Sequence, residues 1–124
     1  MKNILVATDF SNNAYCALFY VTKLLASQPC TFHLLNVFNE LTPLQGKKPK
    51  LFVSEKLLKK LQIESEEKLT KTKHKIVLDN DNSKHQFQTI SEKGILSKIL
   101  TKTIDKLHID LVVMGNKGIT EAAD

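Results

Sequence analysis

Ile4, Leu5, Val6 and Ala7 run straight into Thr8, Asp9, Phe10 and Ser11. A short apolar run ended by turn-forming residues reads as a strand buried on both faces. The pattern returns near the other end of the chain, where Asp110, Leu111, Val112, Val113 and Met114 empty into Gly115, Asn116, Lys117 and Gly118. In an open α/β sheet, ligands sit outside the carboxyl ends of the strands, at the point where the strand order reverses. Two such strand ends, one polar and one rich in glycine, therefore decide the fold class and nominate a site together.

Between them, helical and extended patterns alternate. Ser11 is placed to cap a helix from about Asn12 to Ser27, with Ala14, Ala17, Leu18, Val21, Leu24 and Leu25 on one face and Pro29 as the stop. Thr31 to Val37 reads as a second buried strand. The segment Phe38 to Val53, with Pro43, Gly46 and Pro49, reads as a loop longer than most connections and is expected to act as a ligand-side lid. Ser54 opens a second helix through Leu57, Leu58, Leu61, Ser65 and Leu69. It is expected to fade over Lys71 to Lys75, with Ile76 to Leu78 extended. Asp79 to Ser83 signals a turn, Gln86 to Ser91 an edge strand, and Ile95 to Leu107 a third helix. Strands alternating with helices imply α/β architecture, with an open parallel sheet and helices on both faces.

Composition narrows the function. The 124 residues form one domain, with 42% hydrophobic and 25% charged residues, close to ordinary globular usage. The formal net charge is +5. Its lysines, however, gather in one loop (Lys47, Lys48, Lys50) and along the second helix, where Glu55, Glu64, Glu66 and Glu67 are interleaved with them. That is a solvated face, without the aromatic interleaving or groove-reading motif of a nucleic-acid binder. No apolar stretch nears the ~20 residues that span a bilayer. The first apolar run breaks too early for a signal peptide. Cys16 and Cys30 lack CxxC spacing and are read as small packed apolar residues of a reducing compartment, which predicts a cytoplasmic protein.

Chemistry-bearing residues are few. Asp9, at a strand end before a helix, can accept from a ribose hydroxyl or an adenine amino group, or merely shape the turn before the Ser11 cap. Gly115 and Gly118 form a Gly-x-x-Gly turn that admits a phosphate close to the backbone, or simply supplies turn geometry. Alone this is neither the Rossmann fingerprint nor a Walker loop. Lys117 can offset phosphate charge or do nothing specific. His33, His74, His85 and His108 are not at metal-ligand spacing, with one another or with a cysteine. Spacing leaves a Ser–His–Asp triad open, yet no Gly-x-Ser-x-Gly elbow nominates a nucleophile.

Taken in order, Thr8-Asp9-Phe10-Ser11, Leu35-Asn36-Val37 and Asp110 through Gly115 with Gly118 resemble the universal stress protein family over essentially the whole chain. The resemblance implies the adenine nucleotide alpha hydrolase-like arrangement, strand order 3-2-1-4-5. It also implies an adenine nucleotide, ATP or AMP with Mg²⁺, at the carboxyl ends of the first and fourth strands. Asp9 and Val37 would contact adenine, Ala7, Thr8, Met114 and Gly115 would border the sugar, and Gly118 would reach the phosphates. Ala7 stands where nucleotide-binding members commonly have proline. The family's second glycine turn would fall past Asp124, so the expected fold lacks the last strand, and the domain over 1–124 is expected to be C-terminally incomplete. A portion of a longer protein, such as the first half of a tandem pair of these domains, is the preferred explanation, and a short member that has lost phosphate binding the other. Thr120 to Ala123 read as the start of a helix, which would leave the fourth strand as a bare, self-associating edge. The function implied is a non-catalytic stress-response protein that does not enter membranes and forms a homo-oligomer. A member acting through protein contacts alone is the second reading, and a slow ATPase the third.

Overall fold

The computed structural model describes residues 1–38, 54–115 and the short strand 118–121. Strand β1 (Lys2–Ala7) leads into helix α1 (Asn12–Leu24), β2 (Cys30–Phe38), α2 (Glu55–Asp79), β3 (His85–Lys93), α3 (Leu96–Leu107), β4 (Leu111–Met114) and β5 (Gly118–Glu121). Both long helices on the first face begin as the sequence indicates. Ser11 Oγ accepts from the Ala14 amide at 3.1 Å, and Ser54 Oγ accepts from the Leu57 amide at 3.1 Å. Each serine satisfies a first-turn donor that would otherwise have no partner in the helix.

The sheet order is β3-β2-β1-β4-β5, with β1 parallel to β2 and β4 and β2 parallel to β3. Strands alternating with helices thus give the expected parallel α/β sheet. From β1 the chain steps to β2 and β3 on one side, then returns to place β4 on the other. The order therefore reverses between β1 and β4.

Strand side chains alternate strictly between two cores, because successive residues point to opposite faces. Ile4, Val6, Phe32, Leu34, Phe87 and Val113 meet Leu18 and Val21 of α1 and Leu69 and Ile76 of α2. Leu5, Leu35 and Val112 point the other way, onto Ile99 of α3. β1 and β2 are buried on both faces, which is why they read as continuous apolar runs.

Three expectations are corrected. α2 does not fade at Lys71 but continues to Asp79. Leu69 and Ile76, seven positions apart, share one buried stripe, and the intervening lysines are good helix formers. Cys16 is exposed on α1, whereas Cys30 is buried as expected. Thr120 lies in a strand rather than a helix, because β5 pairs antiparallel with β4 in the register Leu111↔Glu121 to Met114↔Gly118. β4 is thus no bare edge. The expected lid, Phe38 to Val53, lies outside the described residues apart from Phe38, which ends β2. Among the described residues, no helix is long and apolar enough to cross a membrane, and no cluster of His, Cys, Asp or Glu could hold a metal ion.

Candidate functional site

At the point of strand reversal the carboxyl ends of β1, β2 and β4 border a cleft of about 280 Å³. β1 supplies Ala7, Thr8 and Asp9, β2 supplies Leu35, Asn36 and Val37, and β4 supplies Met114 and Gly115. Ala14 of α1 and Leu96 of α3 close it from either side. A wider opening of about 360 Å³ lies between α2 and the end of β3, away from the reversal point.

The turn after β1 is held by its own short polar side chains. The Thr8 amide donates to the Leu35 carbonyl at 2.8 Å, which ties the turn to β2. Thr8 Oγ1 accepts from the Phe10 amide at 3.0 Å, and Asp9 Oδ1 accepts from the Ser11 amide at 2.9 Å. These bonds bend the backbone so sharply that Phe10 adopts φ 66°, a left-handed conformation that aromatic residues rarely take. The ring compensates by packing against the first core, with Lys68 Nζ 5.6 Å from its centroid. Backbone strain of this kind concentrates at functional sites.

Asp9 is exposed at the mouth of the cleft. Hydrogen bonds from Ser11, side chain first and backbone second, hold its carboxyl below the ordinary carboxylate value, against a smaller opposing effect of burial. It is therefore an anion at neutral pH, with Oδ1 engaged in the turn. A general base works best with a pKa raised toward neutrality, and Asp9 is moved the other way. It is also the sole titratable side chain among the described lining residues. The arrangement suits hydrogen-bonded recognition of a ligand better than proton transfer.

Two helix N-termini reach the cleft. α1 is capped by Ser11, but α3 opens on Ile95 with no side-chain cap hydrogen bond. Its first amides are left to solvent or to a ligand, and the helix dipole there favours negative charge. Gly94, with φ 129°, makes the turn into α3, a conformation in which a side chain would be strained.

Of the residues singled out in the sequence, Ala7, Thr8, Asp9, Val37, Met114 and Gly115 come together around this one cleft. Gly118 opens β5, opposite Met114. Gly115 has a structural reason to be glycine. A Cβ there would stand 2.7 Å from Ala14 Cα and 2.8 Å from Ala14 N, so the end of β4 touches the backbone of α1 directly. Asn36, part of the Leu35-Asn36-Val37 strand end, also lines the cleft, with no task assigned to it by local spacing. An asparagine closing an otherwise apolar strand was the available signal, since a buried amide needs partners.

The universal stress protein family model matches residues 1–124. No curated protein gives a significant match. Among solved structures, the chain is similar to universal stress protein UspA from Lactobacillus plantarum, with TM-score 0.69 and 18% identity over 94% of this chain and 78% of that one. A universal stress protein in complex with cAMP matches with TM-score 0.59 and 12% identity, covering 90% and 73%. A universal stress protein family protein from Arabidopsis thaliana with AMP bound gives TM-score 0.59 and 11% identity, covering 93% and 76%. At these identities the likeness establishes the fold, and the family match extends over every residue. The chain belongs to the universal stress protein family.

Proposed function

We propose that the protein binds an adenine nucleotide, ATP or AMP, in the cleft at the ends of β1, β2 and β4, as a non-catalytic component of a stress response. The observation that carries this reading is the convergence of Asp9, Val37 and Gly115 on one cleft at the reversal of strand order. Asp9, an anion with one oxygen used by the turn, keeps the other to accept from an adenine amino group or a ribose hydroxyl. Val37 presents backbone at the end of β2. The uncapped start of α3 favours the charged end of the ligand. The AMP and cAMP complexes of structurally similar family members support the ligand class. Mg²⁺, when it accompanies ATP, would be held mainly by phosphate oxygens, since Asp9 is the one carboxylate among the described lining residues. On this reading the protein works in the cytoplasm and self-associates.

Isothermal titration with ATP and AMP tests the proposal. Asp9→Asn keeps an acceptor for the Ser11 amide but loses the charge. The parent protein is expected to bind both nucleotides, and the variant to bind roughly tenfold or more weakly, as befits a hydrogen bond to a charged group. A parent that binds neither nucleotide would leave the second reading, a family member acting through protein contacts. One observation favours that reading: packing against α1 already accounts for Gly115 without any ligand. ATP turnover well above the buffer rate and abolished by Asp9→Asn would instead make the protein an enzyme.

A further inference from the structure

Three hydroxyl and amide side chains from three elements form a single buried file behind the cleft. Asn36 Nδ2 donates to the Thr8 carbonyl at 2.8 Å. Ser65 Oγ of α2 donates to Asn36 Oδ1 at 2.7 Å, and Ser91 Oγ of β3 donates to Ser65 Oγ at 2.7 Å. The direction of the file is forced by the chemistry of its members. The Thr8 carbonyl can only accept, so the amide must turn its nitrogen toward β1. Asn36 Oδ1 can only accept, so Ser65 must spend its one proton there, and Ser91 must donate in turn.

Each member is thereby fixed by the next. Ser65 is 3% exposed and Asn36 9% exposed, so neither can readily exchange these partners for water. In so dry a setting, hydrogen bonds in a chain polarise and strengthen one another. Only Asn36 of the three side chains lines the cleft. An amide nitrogen carries two hydrogens, and among the described residues the Asn36 nitrogen uses one of them, on Thr8.

We infer that Ser65 and Ser91 are positioning residues for the ligand site, locking the Asn36 amide so that its second hydrogen is offered to an acceptor atom on the base or sugar of the bound nucleotide. This rests on the nucleotide-binding reading above and adds a recognition group to it. Without Ser65, the amide keeps its bond to the Thr8 carbonyl but loses the one that anchors its oxygen end. It can then swing about the remaining bond, and the cleft loses a precisely aimed donor. The file also makes the docking of α2 a condition for the geometry of a cleft that α2 does not line.

The test compares Ser65→Ala, Ser91→Ala and Ile76→Val. The last thins the packing of the same helix without touching the file. In the ligand-free protein, Ser65→Ala is expected to shift the Asn36 side-chain amide signals in a ¹⁵N–¹H spectrum and speed their exchange with water. ATP affinity should fall roughly three- to tenfold, the worth of one ordinary hydrogen bond. Ser91→Ala should move both readouts the same way by less, because Ser65 keeps its bond to Asn36. Should Ser65→Ala fail to fold, this half-buried variant decides alone. Ile76→Val should leave the amide signals and the affinity unchanged. Asn36 signals and ATP affinity equal to the parent's in both serine variants would overturn the inference, as would an equal loss in Ile76→Val. If the parent binds no ATP, the nucleotide reading fails, and the amide signals of the free protein still show whether the serines hold Asn36.

Discussion

Gly115 shows how one residue type serves two masters. The sequence places a glycine at a strand end beside a prospective ligand, where backbone approach is the natural explanation. Packing has a prior claim, since an added Cβ meets Ala14 backbone atoms at 2.7 and 2.8 Å. Backbone cannot step aside as the tip of a flexible side chain can, so β4 or α1 must shift. Gly115→Ala is therefore expected to destabilise the protein by about 1–3 kcal/mol, the usual cost of forcing extra volume into a packed site. Urea denaturation of parent and variant without nucleotide checks this, and equal midpoints would return the glycine to the ligand alone. Loss of ATP binding in a Gly115 variant would consequently say little about the cleft, which makes Asp9→Asn the cleaner probe. The residues of the cleft were legible because strand ends and their turns announce themselves in sequence. The need for Gly115 was not, because it depends on how closely α1 crosses β4. Nor was the task of Asn36, whose partners Ser65 and Ser91 are 29 and 55 positions away.

At the scale of elements, the strands and caps were readable and the helix ends less so. Ser11 and Ser54 cap where their spacing indicated, because capping is local chemistry. The far end of α2 is set by tertiary contact instead. Ile76 reaches the core, and Asp79 accepts the hydroxyl of Tyr15 from α1. Lys75 Nζ lies 4.1 Å from the centroid of the same tyrosine ring. Local sequence carries no trace of this tie between the two helices. Burial first, and then the Asp79 carboxylate, push the Tyr15 phenol above its ordinary value of 10.0. The unfolded chain gives up that proton near the ordinary value while the folded protein retains it. The contribution of Tyr15 is thus fully present below that pH and is lost as pH rises toward the folded value. Stability should fall between pH 9 and pH 11 by more in the parent than in Tyr15→Phe, as read from urea midpoints at both values (pH settings chosen at about one unit either side of the ordinary tyrosine pKa). Parallel pH profiles for the two proteins would show that the tie does not hold α1 to α2.

For the molecule as a whole, the decisive feature is how the sheet ends. Parallel strands buried on two faces must be closed off at their borders, because an unpaired apolar strand invites another chain. β4 contains Leu111, Val112, Val113 and Met114, with no lysine or proline to blunt it. The sequence after it, with Thr120, Glu121 and two alanines, has ordinary helix-forming character, which is why it reads as a helix start. Pairing with β4 outweighs that local preference, and β5 takes the border in antiparallel register, Val113 opposite Ile119. The hydrogen bonds that β4 would otherwise offer to a neighbour are thereby met within the chain. Ile119→Pro removes a backbone donor and imposes a fixed φ in the middle of this short strand, so β5 should detach. The parallel strands and both cores do not depend on that pairing and should persist. Amide exchange is then expected to accelerate at those β4 residues whose N–H groups face β5, and not at those facing β1, and light scattering to rise more steeply with concentration than in the parent. Unchanged exchange and scattering in a folded Ile119→Pro protein would mean that something other than β5 shields the border of β4.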